Sequence, residues 1–148
     1  MDLVASLRSL LGESKVNTNP TALQAAAIDE SALTPVVPCA IVRAESVGDI
    51  AATIKFCHDL AVPVTVRAAG SALEGSAIPV AGGIVLDVSG LDKVIAFWPE
   101  DLQVEVEPGI VYEKLNEILK RESLFFPPSP GGSSDVATIG GMVSTNAS

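Results

Sequence analysis

At 148 residues the chain can build one domain with its own core, and it is too short for two ordinary ones. It is 48% hydrophobic and only 18% charged, which excludes a disordered segment, and aromatics at 4% leave the core to Val, Ile, Leu and Ala. A formal net charge of -9 excludes the basic stripe from which nucleic-acid recognition starts. In chain order, Leu3, Val4, Leu7, Leu10 and Leu11 fall on one helical face, with Asp2 placed to cap the start and Gly12 to stop it. Asp2 stands where a secretory leader would carry basic residues, and no apolar run approaches the roughly 18 residues of a membrane span. Cytoplasmic residence is the resulting expectation. Residues 13–35 read as a polar, alanine-rich connection with one short turn at most.

Pro35 and Pro38 introduce Ala40 to Arg43, a short apolar run suited to a buried strand. Ser46 with Asp49 three residues on resembles a helix cap, and Val47, Ile50, Ala51, Ile54 and Cys57 continue as a helical stripe. Val62 to Val66 is strand-like, its proline early enough to be tolerated, so a right-handed parallel crossover is expected. Gly83 to Val88 reads as another buried strand. Lys93–Trp98 and Leu102–Glu107 form a hairpin around Pro99-Glu100-Asp101, in which Leu102, Val104 and Val106 mark the dry face. Pro108-Gly109 breaks the sheet. Ile110 or Val111, Leu115, Ile118 and Leu119 give a further amphipathic helix, with Lys120 and Arg121 in its last turn. Cys39 and Cys57 make neither a metal spacing nor a disulfide framework, and no metal site is expected.

Two glycine-bearing segments carry the chemistry. The first runs Val66-Arg67-Ala68-Ala69-Gly70-Ser71-Ala72-Leu73-Glu74-Gly75. The second runs Pro127-Pro128-Ser129-Pro130-Gly131-Gly132, then Thr138-Ile139-Gly140-Gly141-Met142. Small residues let a backbone approach a ligand and aim successive N–H groups at a diphosphate without lysines. The first segment matches neither a Walker A loop nor G-x-G-x-x-G, and a plain tight turn also suits it. Its exit from a buried parallel strand, where open α/β sheets place ligands, favours a site, as does Arg67 at its mouth. The second segment alone is as consistent with a bend. His58 lacks triad or metal partners and Asp87 suits a turn cap, so no catalytic side chain is expected.

In this order the pieces resemble the FAD-binding domain of the p-cresol methylhydroxylase / vanillyl-alcohol oxidase flavoproteins, nearest the glycolate oxidase / D-lactate dehydrogenase branch. They are Ile28-Asp29-Glu30-Ser31, Pro38 to Ala44, Val64 to Ser71, Gly82 to Asp87, Val104 to Gly109, Leu124 to Pro128, and Thr138 to Ala147. The resemblance covers residues 28–148. It implies an α+β fold of the PCMH type, a small βαβ-containing subdomain followed by the start of a second, mixed or antiparallel one. Residues 1–35 would be an N-terminal helix and connection, and 36–148 the FAD-binding domain. By the same resemblance Arg67, Ala68, Ala69, Gly70, Ser71, Ala72 and Leu73 would wrap the FAD pyrophosphate. Pro128, Ser129, Thr138, Gly140, Gly141, Ser144 and Asn146 would line the dinucleotide toward the flavin, bound non-covalently because neither loop holds a histidine.

The family's activity implies oxidation of a small 2-hydroxy acid, with the protein binding, orienting and tuning the cofactor. Ala68, Ala69 and Ser76 stand where glycines are common in the family. A methyl group forced to positive φ there would cost on the order of 1 kcal/mol. Family members continue beyond Asn146-Ala147 into more of the flavin site and a cap domain. The chain is therefore expected to be inactive alone, with FAD weak or absent, unless a homo-oligomer or partner subunit completes the site.

Overall fold

The structure, a computed structural model, describes residues 2–146. Ala147 of the final motif and the stop at Ser148 lie outside the described residues, as does Met1. Helix α1 (Leu3–Leu11) starts where the Asp2 carboxylate accepts from the N–H groups of Val4 and Ala5, and Gly12 ends it at φ 103. A single 3-10 turn leads to β1 (Val16–Asn17), and Asn19 then caps α2 (Pro20–Ala26), whose first residue is a proline. Both elements replace the expected unstructured connection.

Strand β2 (Ala40–Arg43), helix α3 (Val47–Asp59), strand β3 (Val64–Arg67) and strand β4 (Ile84–Asp87) follow. Ser46 caps α3 as expected, its Oγ accepting from Asp49 N–H at 3.1 Å. The sheet order is β1-β2-β4-β3, with β1 antiparallel to β2 and both β2 and β3 parallel to β4. The crossover through α3 therefore skips one place, and β4 fills it. Ile84, Val85 and Leu86 are all fully buried although successive residues face opposite sides of the sheet, as a central parallel strand covered on both faces requires.

Leu7, Val16, Val42, Cys57, Ile84 and Leu86 share one core, so α1 and β1 pack into the same unit as the parallel strands. Lys15 adds a polar tie, its Nζ at 2.8 and 2.9 Å from the Asp49 carboxylate oxygens. That bond holds the Asp49 carboxyl below its ordinary range and the Lys15 ammonium above its own, in each case against the opposing effect of burial. The pair's contribution is therefore fully present between the two ordinary values, about pH 4 and pH 10. It fades as acid passes the lowered Asp49 value, and again as base passes the raised Lys15 value. Thermal midpoints measured across pH should show that plateau, and Lys15→Met should lower its height and remove the alkaline loss due to this pair.

The second unit begins with the hairpin β5 (Val94–Trp98) and β6 (Gln103–Val106), antiparallel with an irregularity between Val94 and Ala96. Helix α4 (Tyr112–Leu119) and the short helix α5 (Ile139–Thr145) close a separate core of Ile110, Leu115, Leu119, Ile139 and Met142, against which Val104 and Val106 pack. Leu102, expected on the dry face, sits at φ 55 and is exposed, because it ends the tight turn instead of entering the strand. No helix among the described residues is long and apolar enough to cross a membrane.

Candidate functional site

The sheet ladder ends at the first glycine-bearing loop. Val88 N–H donates to Arg67 O at 2.9 Å, and beyond that point the chain leaves β3. None of the backbone N–H groups from Ala68 to Ser76 donates a hydrogen bond to the described part of the chain. Ala68, Gly70, Ser71 and Ala72 are half-buried and line a cleft, and a run of amides without partners in the chain is a ready anion seat. Only Gly70 (φ 75) and Gly75 (φ 79) in this loop have positive φ. Ala68, Ala69 and Ser76 do not, so the backbone strain expected there is absent; the loop concentrates its unusual conformations at its two glycines.

Arg67 does not serve the mouth of the loop. Its guanidinium turns beneath it, donating to Ile28 O at 2.6 Å and, at 3.4 Å, to Ala77 O and Ala25 O. A Cβ on Gly70 would overlap that guanidinium, so the glycine backbone lies directly on the charge. Burial lowers the Arg67 pKa and the nearby Asp29 and Asp87 carboxylates only partly restore it. An arginine so placed stays cationic at any ordinary pH. With its donors spent on these carbonyls, it supplies positive potential beside the amides, which matters in a chain of net charge -9.

The second segment behaves differently from the first. Thr138 caps α5, its Oγ1 accepting from Gly141 N–H at 3.3 Å. Ile139 N–H donates to Ile110 O, Gly140 N–H to Pro108 O and Met142 N–H to Thr138 O, at 2.8 to 2.9 Å. These amides are committed to the fold, so the expectation of two amide-bearing bends holds for the first bend alone. What Gly140 and Gly141 contribute is a low wall. A Cβ on Gly140 would lie 2.6 Å from Pro108 Cβ, so this glycine lets α5 seat directly on the end of β6.

The two segments face each other across a cleft of about 500 Å³. Arg67 to Leu73 line one side, and Thr138, Gly140, Gly141 and Ser144 the other. Pro128, Ser129 and Asn146 do not reach it. The Ser129 hydroxyl accepts from Gly131 N–H at 3.3 Å, and Asn146, at φ 51, closes the C-terminus of α5 with its N–H on Met142 O and Val143 O. Pro128 sits in the extended run before that turn. Val66, Pro130 and Met142, which belong to the two quoted segments, also line the cleft, and so do Val88 and Pro108, which lie outside them; Pro108, in Pro108-Gly109, carried a sequence signal only as a sheet breaker. Asp87 accepts from Ser89 N–H at 2.8 Å as a turn cap, and His58 lies exposed on α3 outside the cleft.

Open amides, a half-buried cation beside them and an opposite wall of small residues suit a dinucleotide diphosphate flanked by flat rings. Comparison with known proteins agrees. Residues 38–148 match the model of the FAD binding domain family. The chain is 32% identical over 110 residues to D-lactate dehydrogenase of Anaerostipes hadrus, covering 74% of this chain and 23% of that protein. It is 31% identical over 111 residues to glycolate oxidase subunit GlcD of Escherichia coli K12, covering 74% of this chain and 22% of that protein. Among solved structures, p-cresol methylhydroxylase with substrate bound superposes with a TM-score of 0.80 at 25% identity, covering 95% of this chain and 28% of that one. The chain thus spans about a quarter of the length of these relatives. It belongs to the FAD binding domain family, has the PCMH-type fold, and its cofactor is FAD.

Proposed function

We propose that this chain is the diphosphate-gripping part of a flavin-dependent oxidoreductase that oxidises a 2-hydroxy acid of the glycolate or D-lactate type to a 2-oxo acid. The observation that carries the reading is the run of amides from Ala68 to Glu74, unpaired within the described residues, in the loop that lines the cleft. Ala68 to Leu73 would hold the diphosphate through those amides. Thr138, Gly140, Gly141 and Ser144 would lie along the dinucleotide toward the flavin, and Met142, Val88 and Pro108 would keep water from it. FAD, when bound, supplies the two-electron acceptor; the substrate gives up the hydrogen on C2 and the hydroxyl proton as its carbonyl forms. Glu74, on the diphosphate loop, is the one carboxylate lining the cleft among the described residues, and the wall toward the flavin carries no base for that proton. The chain's own part is therefore to bind and orient.

Titrating the isotope-labelled chain with FAD tests this directly. The expected result is weak binding, with amide signals of Ala68 to Leu73 shifting most, and no turnover of glycolate or D-lactate. Excess FAD that leaves those signals unmoved would overturn the proposal, and stoichiometric flavin absorbance surviving desalting would overturn the weak affinity. A second reading, association with another chain that completes the site, is favoured by Phe125 and Val143, 72% and 75% exposed on the second unit. Size-exclusion chromatography decides there: a monomer retaining no partner counts against it.

A further inference from the structure

We infer that residues 25–33, which precede the segment matching the family model, form a strap that sets the shape of the cofactor loop, with Asp29 as a positioning residue; this rests on the FAD reading above. The loop has no bonds of its own through which its amides fix its course. The strap fastens it at four places instead. At its start the Arg67 guanidinium donates to Ile28 O and Ala25 O. In its middle Glu30 N–H donates to Ala72 O at 3.1 Å. Near its end Leu33 fills the space that a Cβ on Gly75 would occupy. At its far end Ala77 N–H donates to the Asp29 carboxylate at 3.4 Å, while the other carboxylate oxygen accepts from Ser31 N–H at 2.9 Å and holds the strap's own turn.

The arrangement has a consequence for the ligand. A loop held through the Ala72 carbonyl, the Arg67 side chain and the Ala77 amide leaves the intervening N–H groups free for a ligand in the cleft. Without the clamp, those groups can turn to solvent, and the binding-competent population falls. If it falls to about a tenth, the apparent dissociation constant for FAD rises about tenfold. The strap thus contributes preorganisation and makes no contact with the cleft, whose lining includes none of its residues.

The test uses the labelled 148-residue chain and two variants, Asp29→Ala and Asp29→Asn, each read by thermal midpoint, amide signals of residues 68–76, and FAD titration. Asp29→Ala should keep a cooperative transition, broaden or shift the loop signals, and weaken FAD about tenfold. Asp29→Asn, which retains one of two acceptor oxygens, should fall between it and the parent. Loop signals and FAD affinity unchanged in Asp29→Ala would overturn the strap. If Asp29→Ala fails to fold, Asp29→Asn decides by the same two readouts. Should FAD leave the parent's loop signals unmoved, the cofactor reading fails and the strap is judged on the amide signals alone: altered in the variants, it stands; unaltered, it falls.

Discussion

Gly70→Val is expected to remove measurable FAD binding while the first core stays folded. Two independent effects act at this position. At φ 75 a β-branched residue is in a region it rarely adopts, at a cost of roughly 1–3 kcal/mol. Its Cβ would also displace the Arg67 guanidinium, which would lose the carbonyls of Ile28, Ala77 and Ala25. The loop can relieve the strain only by leaving the conformation in which it lines the cleft. That relief opposes binding by the same free energy, so the affinity falls roughly 5- to 150-fold before the loss of the cation is counted. Gly82→Ala is the control: Gly82 has φ 69, nothing within 4 Å of its Cβ position, and no place in the cleft. It should lower the thermal midpoint and leave FAD affinity alone. Equal affinity in the Gly70 variant and the parent would mean that the loop is not the diphosphate seat.

The contrast between the two glycine-bearing segments shows what the sequence could convey. Alternation in Gln103 to Val106, the helical stripe after Ser46 and the caps at Asp2 and Ser46 are local signals, and each produced its element. The order β1-β2-β4-β3 is not local, because β4 arrives last and enters between two earlier strands. Helix α2 went unseen since its alanines carry little periodicity, although Asn19-Pro20 is a serviceable cap and first residue. At the site, Gly70 was legible because a glycine just past a strand is a local cue, although that strand is the half-exposed edge strand of the sheet and not the buried one expected. The direction of Arg67 was not: it is set by carbonyls at the end of α2, about forty positions earlier in the chain. Nor did Thr138 to Met142 announce a helix, since paired glycines ordinarily mark a bend and cost about 1 kcal/mol each inside a helix. Here the approach of Gly140 to Pro108 offsets that cost.

The same close approach makes the joint between the two units a sensitive point of the fold, and Gly109→Ala should show it. A Cβ there would lie 2.5 Å from Val88 O and 2.7 Å from both Leu91 O and Ser89 O, all backbone atoms with no side chain to yield. Gly109 N–H also donates to Leu91 O at 2.7 Å, a bond that the displaced backbone would stretch or lose. Overpacking and a weakened buried hydrogen bond together cost about 3 kcal/mol. For a chain of this length that lowers the thermal midpoint by on the order of 10 °C. The effect extends to the cofactor, although Gly109 does not line the cleft. Its neighbours Pro108 and Ile110 accept from the N–H groups of Gly140 and Ile139, so moving this turn moves the start of α5 and with it the wall facing Ala68 to Leu73. FAD affinity measured well below the unfolding midpoint should therefore fall as well. Gly132→Ala, whose added methyl meets nothing within 4 Å, should change neither quantity. A Gly109 variant as stable as the parent would show that the two units are not held through this turn.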